Sequence, residues 1–203
     1  MLKKPDYWEE AKTYLQKQDA VLDTLIKNYT GEEGLVSRGD AFETLVRSIV
    51  GQQISVKAAA SVWNKLADAY TISPEALAKV EAEQLRSCGL SRQKVKYITG
   101  TAQAFHNGQI HPNKWGDWQD EDIIQELTTL PGIGRWTAEM FLMFYLLRAD
   151  VLPLKDLGIL NAFERQYGKA PTELKNHATA WQPYRTVACW YLWRSLENQP
   201  TNY

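Results

Sequence analysis

Leu130-Pro131-Gly132-Ile133-Gly134-Arg135-Trp136-Thr137-Ala138 is the stretch from which the rest of this sequence is read, together with Asp156, roughly two dozen residues further on. Upstream, Asp122-Ile123-Ile124-Gln125-Glu126-Leu127 has helical spacing, and downstream Trp136 to Leu147 is an apolar run long enough for a buried helix. A Pro-Gly-x-Gly turn between two helices is a hairpin whose glycines permit positive φ and close backbone approach. The second glycine stands where the next helix begins, and the first amides of a helix lack intrahelical partners and carry its positive dipole end. Such a turn suits an anion, and a nucleic-acid phosphate is the obvious one. Read without its surroundings, the same pentapeptide is equally an ordinary tight turn between helices.

Composition narrows the choice. The 203 residues carry a net charge of −1, so no global positive field attracts DNA, which argues against a basic coat protein. A DNA enzyme that uses backbone amides and a local cationic rim is still compatible. Of the eight tryptophans and ten tyrosines many are expected in the core, and the number leaves rings for stacking on a base. Cys88 and Cys189 match no metal or redox spacing, His106, His111 and His177 have no ligand spacing, and no catalytic metal is expected. Met1-Leu2-Lys3-Lys4 precedes no apolar stretch and no segment is long enough to span a bilayer, so the expectation is a cytoplasmic chain without membrane contact.

Along the chain the periodicity is helical throughout. One helix is expected from Pro5 to about Tyr29, with a turn at Thr30-Gly31-Glu32-Glu33-Gly34. Asp40 and Ser55 read as caps of the next two helices, and Ser73-Pro74-Glu75 as the start of a short one. A further helix runs from Ser91 to about Phe105, broken only by Gly100. After Asp156 come a helix ended by Gly168, a short one over Pro171–Asn176 and a last one from Thr186 to Glu197. No strand or solenoid repeat is visible. The fold class is all-α, and the seam between two helical halves is expected near residues 106–120.

Four segments then resemble one family. Ser48-Ile49-Val50-Gly51-Gln52-Gln53-Ile54-Ser55-Val56-Lys57-Ala58-Ala59, Gly89-Leu90-Ser91-Arg92-Gln93-Lys94, the hairpin with Asp156, and Trp181-Gln182-Pro183-Tyr184-Arg185-Thr186-Val187-Ala188 are similar, in this order, to segments of the helix-hairpin-helix DNA glycosylases. The likeness is to the 3-methyladenine DNA glycosylase II branch, in a compact form without the N-terminal β domain. It covers residues from about 40 to 197 and implies a single all-α domain of two helical lobes with a cleft between them, a middle lobe of about 40–110 and a hairpin lobe of about 118–203 plus the N-terminal helix.

The resemblance implies an enzyme that flips an alkylated purine out of double-stranded DNA and hydrolyses its N-glycosidic bond. Asp156 would then stabilise oxocarbenium-like charge on the sugar and orient water. Its plain alternative is the cap of the helix starting at Leu157, and the two roles can coexist. Trp136 stands where strand-nicking relatives place a lysine, which implies a monofunctional enzyme leaving an abasic site. Trp136, Met140, Leu157 and Trp181 would form the base pocket, where rings suit a cationic base.

Gln52, Gln53, Ile54, Ser55 and Lys57, with Gly132, Gly134, Trp136 and Thr137, would contact DNA, and Gln53 would fill the vacated stack. The carbonyls of Thr128, Leu130 and Ile133 would hold a structural Na+ or K+. No organic cofactor is implied, and a monomer is expected. Two alternatives remain: a sister glycosylase for deaminated or oxidised bases, and a non-catalytic module that binds DNA through the hairpin.

Overall fold

A computed structural model describes residues 4–31, 34–37 and 39–196, so Glu32, Glu33 and Glu197 of the expected turn and last helix lie outside the described residues. Twelve α-helices form among the described residues, and a single β-bridge residue, Ser37, is the only extended pairing there. In chain order they are α1 (Trp8–Gln18), α2 (Ala20–Asn28), α3 (Ala41–Gly51), α4 (Val56–Ala69), α5 (Pro74–Leu77), α6 (Ala82–Ser87), α7 (Arg92–His106), α8 (Asp120–Thr128), α9 (Arg135–Phe144), α10 (Leu157–Tyr167), α11 (Leu174–His177) and α12 (Arg185–Arg194). None is long and apolar enough to cross a membrane.

The chain divides into two compact units, one of Met1–Arg38 with Glu139–Tyr203, the other of Gly39–Ala138. The division therefore falls inside α9, and the hairpin belongs with the middle helices. The expected seam at residues 106–120 is instead anchored within the second unit. Trp115 is buried there, and its indole Nε1 donates to Glu126 Oε2 at 2.6 Å, with His111 on the same carboxylate.

In the unit Gly39–Ala138, α7 is the central element and packs against α3, α5 and α6. The caps read from the sequence form, Asp40 accepting from the Glu43 amide at 2.8 Å and Ser73 from Ala76 at 3.2 Å, and Ser91, read as a helix start, also caps by accepting from Lys94 at 3.2 Å. Such caps satisfy amides that a helix start leaves without partners. Gly100 does not break α7. The helix runs through it, and a Cβ there would fall 2.6 Å from Pro131 Cγ, so the glycine makes room for the hairpin.

In the other unit, α1, α2, α10 and α12 surround a core of Leu15, Leu22, Phe163 and Trp181, all fully buried. The single helix expected over Pro5–Tyr29 is two, because Asp19 turns extended (φ −146°) and caps α2 by accepting from Val21 and Leu22 at 2.9 and 3.1 Å. Its second oxygen accepts from Trp181 Nε1 at 2.8 Å and Tyr167 Oη at 2.9 Å, with His177 Nε2 at 3.2 Å. Burial pushes the Asp19 carboxyl upward, but these donors outweigh it and hold the group below the usual carboxylate value.

Candidate active site and nucleic-acid interface

Asp156 is the N-cap of α10, and the residue is 7% exposed. Oδ1 accepts two hydrogen bonds, from the Ile159 amide at 2.8 Å and from Trp193 Nε1 at 2.9 Å. The capping reading is therefore true, and it places a negative charge in a water-poor setting. Gly158 completes the arrangement, since a Cβ there would lie 3.1 Å from both Asp156 Oδ1 and Trp193 Nε1.

The chain leading to Asp156 is fastened to the start of α12. Arg185 grips the Asp150 carboxylate with two nitrogens, at 2.6 and 2.8 Å, a fork that fits a carboxylate edge. Thr186 donates its hydroxyl to the Arg148 carbonyl at 2.6 Å and accepts the Val151 amide at 3.0 Å. The Trp181–Ala188 motif thus holds the loop that delivers the aspartate, while Trp193, two turns further on, holds the aspartate itself. Cys189 lies on the same helix: burial first, then the nearby charge of Asp156, raise its thiol well above the ordinary range.

The expected base-pocket residues are placed unequally. Leu157, beside Asp156, is 73% exposed and Trp136 is 39% exposed, both open to a ligand, whereas Met140 is buried. Trp181 corrects the expectation. It has no exposed surface, its indole N–H is bound to Asp19, and its ring packs edge-on against Phe163 and His177. A ring enclosed on all sides has no face to offer a base, so Trp181 is a core residue.

The expected DNA-contacting residues of the second unit collect on two neighbouring segments. Gly132 adopts φ +81°, and its α-carbon lies so close to the Tyr97 ring that a Cβ would overlap it. Gly134 is exposed and starts α9, its carbonyl accepting the Ala138 amide at 3.0 Å; Trp136 and Thr137 follow on the first turn. Arg135 pairs with Glu121 through two bonds of 2.8 Å at the surface. The Leu130 carbonyl accepts the Ile133 amide at 3.2 Å, and a carbonyl has a second lone pair, so this turn is compatible with a monovalent cation beside Thr128 and Ile133.

In the other segment, Gln53, Ile54, Ser55 and Lys57 are exposed, and Ser55 caps α4 through Ala58 at 3.3 Å. Gln53 holds φ +58°, a left-handed conformation that costs a non-glycine residue energy. Gln52 is half-buried, and its side-chain Nε2 donates to the Gly132 carbonyl at 2.9 Å. Lys94 donates to the Val50 carbonyl at 2.8 Å, and its partial burial lowers its pKa. Sequence reasoning missed Trp193, because a tryptophan in an apolar run carries no signal of a partner 37 residues away, and Gly158, because a glycine in a helix does not announce the Trp193 ring beside it.

A helical pair joined by a glycine turn, followed by a capped aspartate, defines a class, and comparison with known proteins agrees. Residues 46–185 match the model of the HhH-GPD superfamily of base excision DNA repair proteins, and the chain belongs to that family. It is 33% identical over 180 residues to DNA-3-methyladenine glycosylase 1 of Schizosaccharomyces pombe, spanning 84% of this chain and 78% of that one. The crystal structure of a DNA-3-methyladenine glycosidase from Bacillus halodurans superposes with a TM-score of 0.84 at 33% identity, over 98% of this chain and 93% of that one. A Schizosaccharomyces pombe 3-methyladenine DNA glycosylase in complex with abasic DNA superposes with a TM-score of 0.78 at 30% identity, covering 95% and 100%.

Proposed function

We propose that this protein is a base-excision glycosylase that releases alkylated purines of the 3-methyladenine and 7-methylguanine type from double-stranded DNA by hydrolysing the N-glycosidic bond. The observation that carries the reading is the buried Asp156 carboxylate, fixed by Trp193 and the Ile159 amide. As the bond breaks, positive charge grows on the sugar, and a carboxylate in a low-dielectric setting stabilises it far better than one in water. Alkylation at N3 or N7 already makes the base cationic, so it departs neutral and needs little acid catalysis. Exposed Trp136 suits such a base through cation–π attraction.

The amides of Gly132, Gly134 and Trp136 receive backbone phosphate, with a monovalent cation on the carbonyls of Thr128, Leu130 and Ile133 supplying positive charge to the same phosphate. Gln53 fills the stack that the base leaves, offsetting part of an unstacking cost of a few kcal/mol. With tryptophan at position 136 in place of a nucleophilic amine, no Schiff base forms and the product is an abasic site. The protein acts as a monomer in the cytoplasm.

The test is incubation of duplex containing 7-methylguanine or 3-methyladenine with the wild type and with Asp156→Asn. Free base from the first and none from a folded second supports the reading; equal release, or none from either, overturns it. A covalent adduct trapped by borohydride would refute the monofunctional assignment.

A further inference from the structure

Gln52 and Gln53 are neighbours of the same type, yet the structure treats them in opposite ways. Gln53 is exposed, whereas Gln52 turns back and donates its amide to the carbonyl of Gly132, eighty residues along the chain. The sequence expects both to contact DNA. For Gln52, one amide N–H is already bound to the hairpin, which gives the side chain a structural task beside any contact with DNA.

The bond closes a circuit. Lys94 and Tyr97 are three residues apart on α7 and so share a face. Lys94 fixes the Val50 carbonyl at the end of α3 at 2.8 Å. The Tyr97 ring lies beneath Gly132, where only a glycine fits. One helix thus supports the start of the Gln53 loop and the tip of the hairpin, and Gln52 joins the two directly at their outer ends. The joint sits one residue before Gln53, which is held at φ +58°.

We propose that Gln52 is a positioning residue that couples the hairpin to the Gln53 loop, so that grip on the strand and insertion into the stack act as a single edge. This rests on the glycosylase reading above. Opening a base stack requires work, and a side chain pushed into it does that work only if its backing resists recoil. A loop held at Val50 alone would yield, whereas one also pinned to the turn that holds the phosphates passes the load to the DNA backbone.

The test uses the full chain with Gln52→Leu, which keeps similar bulk and removes the donor, and Gln52→Glu, which has no donor and is used should the leucine variant not fold. Base release is measured under single turnover from a lesion in a normal pair and from the same lesion opposite an abasic analogue, where extrusion costs less. Coupling predicts that Gln52→Leu slows release from the pair about tenfold or more, equivalent to one decade of rate constant. Release from the unpaired lesion slows less, affinity for undamaged duplex is unchanged, and in a Gln53→Ala background Gln52→Leu adds nothing. Equal losses of affinity and rate, additive with Gln53→Ala, would make Gln52 a direct DNA contact and overturn the proposal; so would an unchanged rate.

A second readout does not need catalysis: fluorescence of 2-aminopurine paired with thymine in duplex, which rises when the stack is opened. Wild type raises it and Gln52→Leu fails to; equal signals overturn the coupling. An inactive wild type would sink the glycosylase reading alone, and this fluorescence would still decide the role of Gln52.

Discussion

Replacing Trp193 with phenylalanine removes one N–H from the candidate catalytic site and little else. The indole donates to Asp156 Oδ1 at 2.9 Å and stacks on Phe144 with ring centres 5.8 Å apart, so a phenyl ring retains most of that packing. A hydrogen bond to a charged group contributes about 1.5–3 kcal/mol. The Ile159 amide, at 2.8 Å, still holds the same oxygen after the change, so the carboxylate loosens and is not released. If the full bond energy is expressed in the transition state, base release slows about ten- to hundredfold, at 1.36 kcal/mol per decade. The assay is single-turnover release of free base, with affinity for abasic duplex and thermal melting measured alongside. Trp190→Phe serves as the control, because Trp190 packs edge-on against Trp8 and Tyr191 and should change melting only. In an Asp156→Asn background, Trp193→Phe should cost no further rate. A folded Trp193→Phe with the wild-type rate, or a loss additive with Asp156→Asn, would refute the claim that this tryptophan acts through the aspartate.

Gly132→Ala must accommodate both a left-handed backbone (φ +81°) and a Cβ driven into the Tyr97 ring, for a combined cost of about 2–4 kcal/mol. Melting should fall sharply and duplex binding should be lost, and adding Tyr97→Ala should recover the packing share but not the backbone share. Asp19→Asn should destabilise the protein at neutral pH, because the amide replaces a charge that accepts from Trp181, Tyr167, Leu22 and Val21. The folded carboxyl lies below its unfolded value of about 3.9, so its contribution is complete above that value and disappears as pH falls through the folded one. The gap in melting temperature between wild type and Asp19→Asn should therefore narrow on acidification from about pH 6 to about pH 3; a constant gap would refute the assignment.

Local chemistry was legible in the sequence; tertiary partners were not. Asp40, Ser55, Ser73 and Ser91 cap the helices they announce, and Gly168 ends α10 at φ +63°, because a cap is decided within about four residues. Asp19 caps α2 by equally local bonds, but helical periodicity on both sides hid the break, and its other partners Tyr167, His177 and Trp181 lie some 150 residues away. The same hidden pairing explains the error at Trp181, where a motif position suggested a stacking ring and the indole is instead locked to that acid. Gly100 looked like a break because its neighbour, Pro131, is distant in sequence. The two candidate sites divide along the same line. The glycine turn and the capping geometry of Asp156 follow from adjacent residues, whereas Trp193 and the Gln52 tie become visible only once the chain is folded.

The capping and catalytic readings of Asp156 began as alternatives, and the geometry gives a reason for them to be one device. A carboxylate that must face a developing cation needs firm support, yet a cationic support would cancel the field it exerts on the sugar. Asp150 shows the cancelled arrangement, its charge gripped on both oxygens by Arg185. At Asp156 a main-chain amide and an indole, both uncharged, donate to Oδ1 and orient the group. Placing the acid at a helix start adds the dipole of α10 as a further support that carries no net charge. On the glycosylase reading, a cap of this kind is the support that such chemistry asks of its acid.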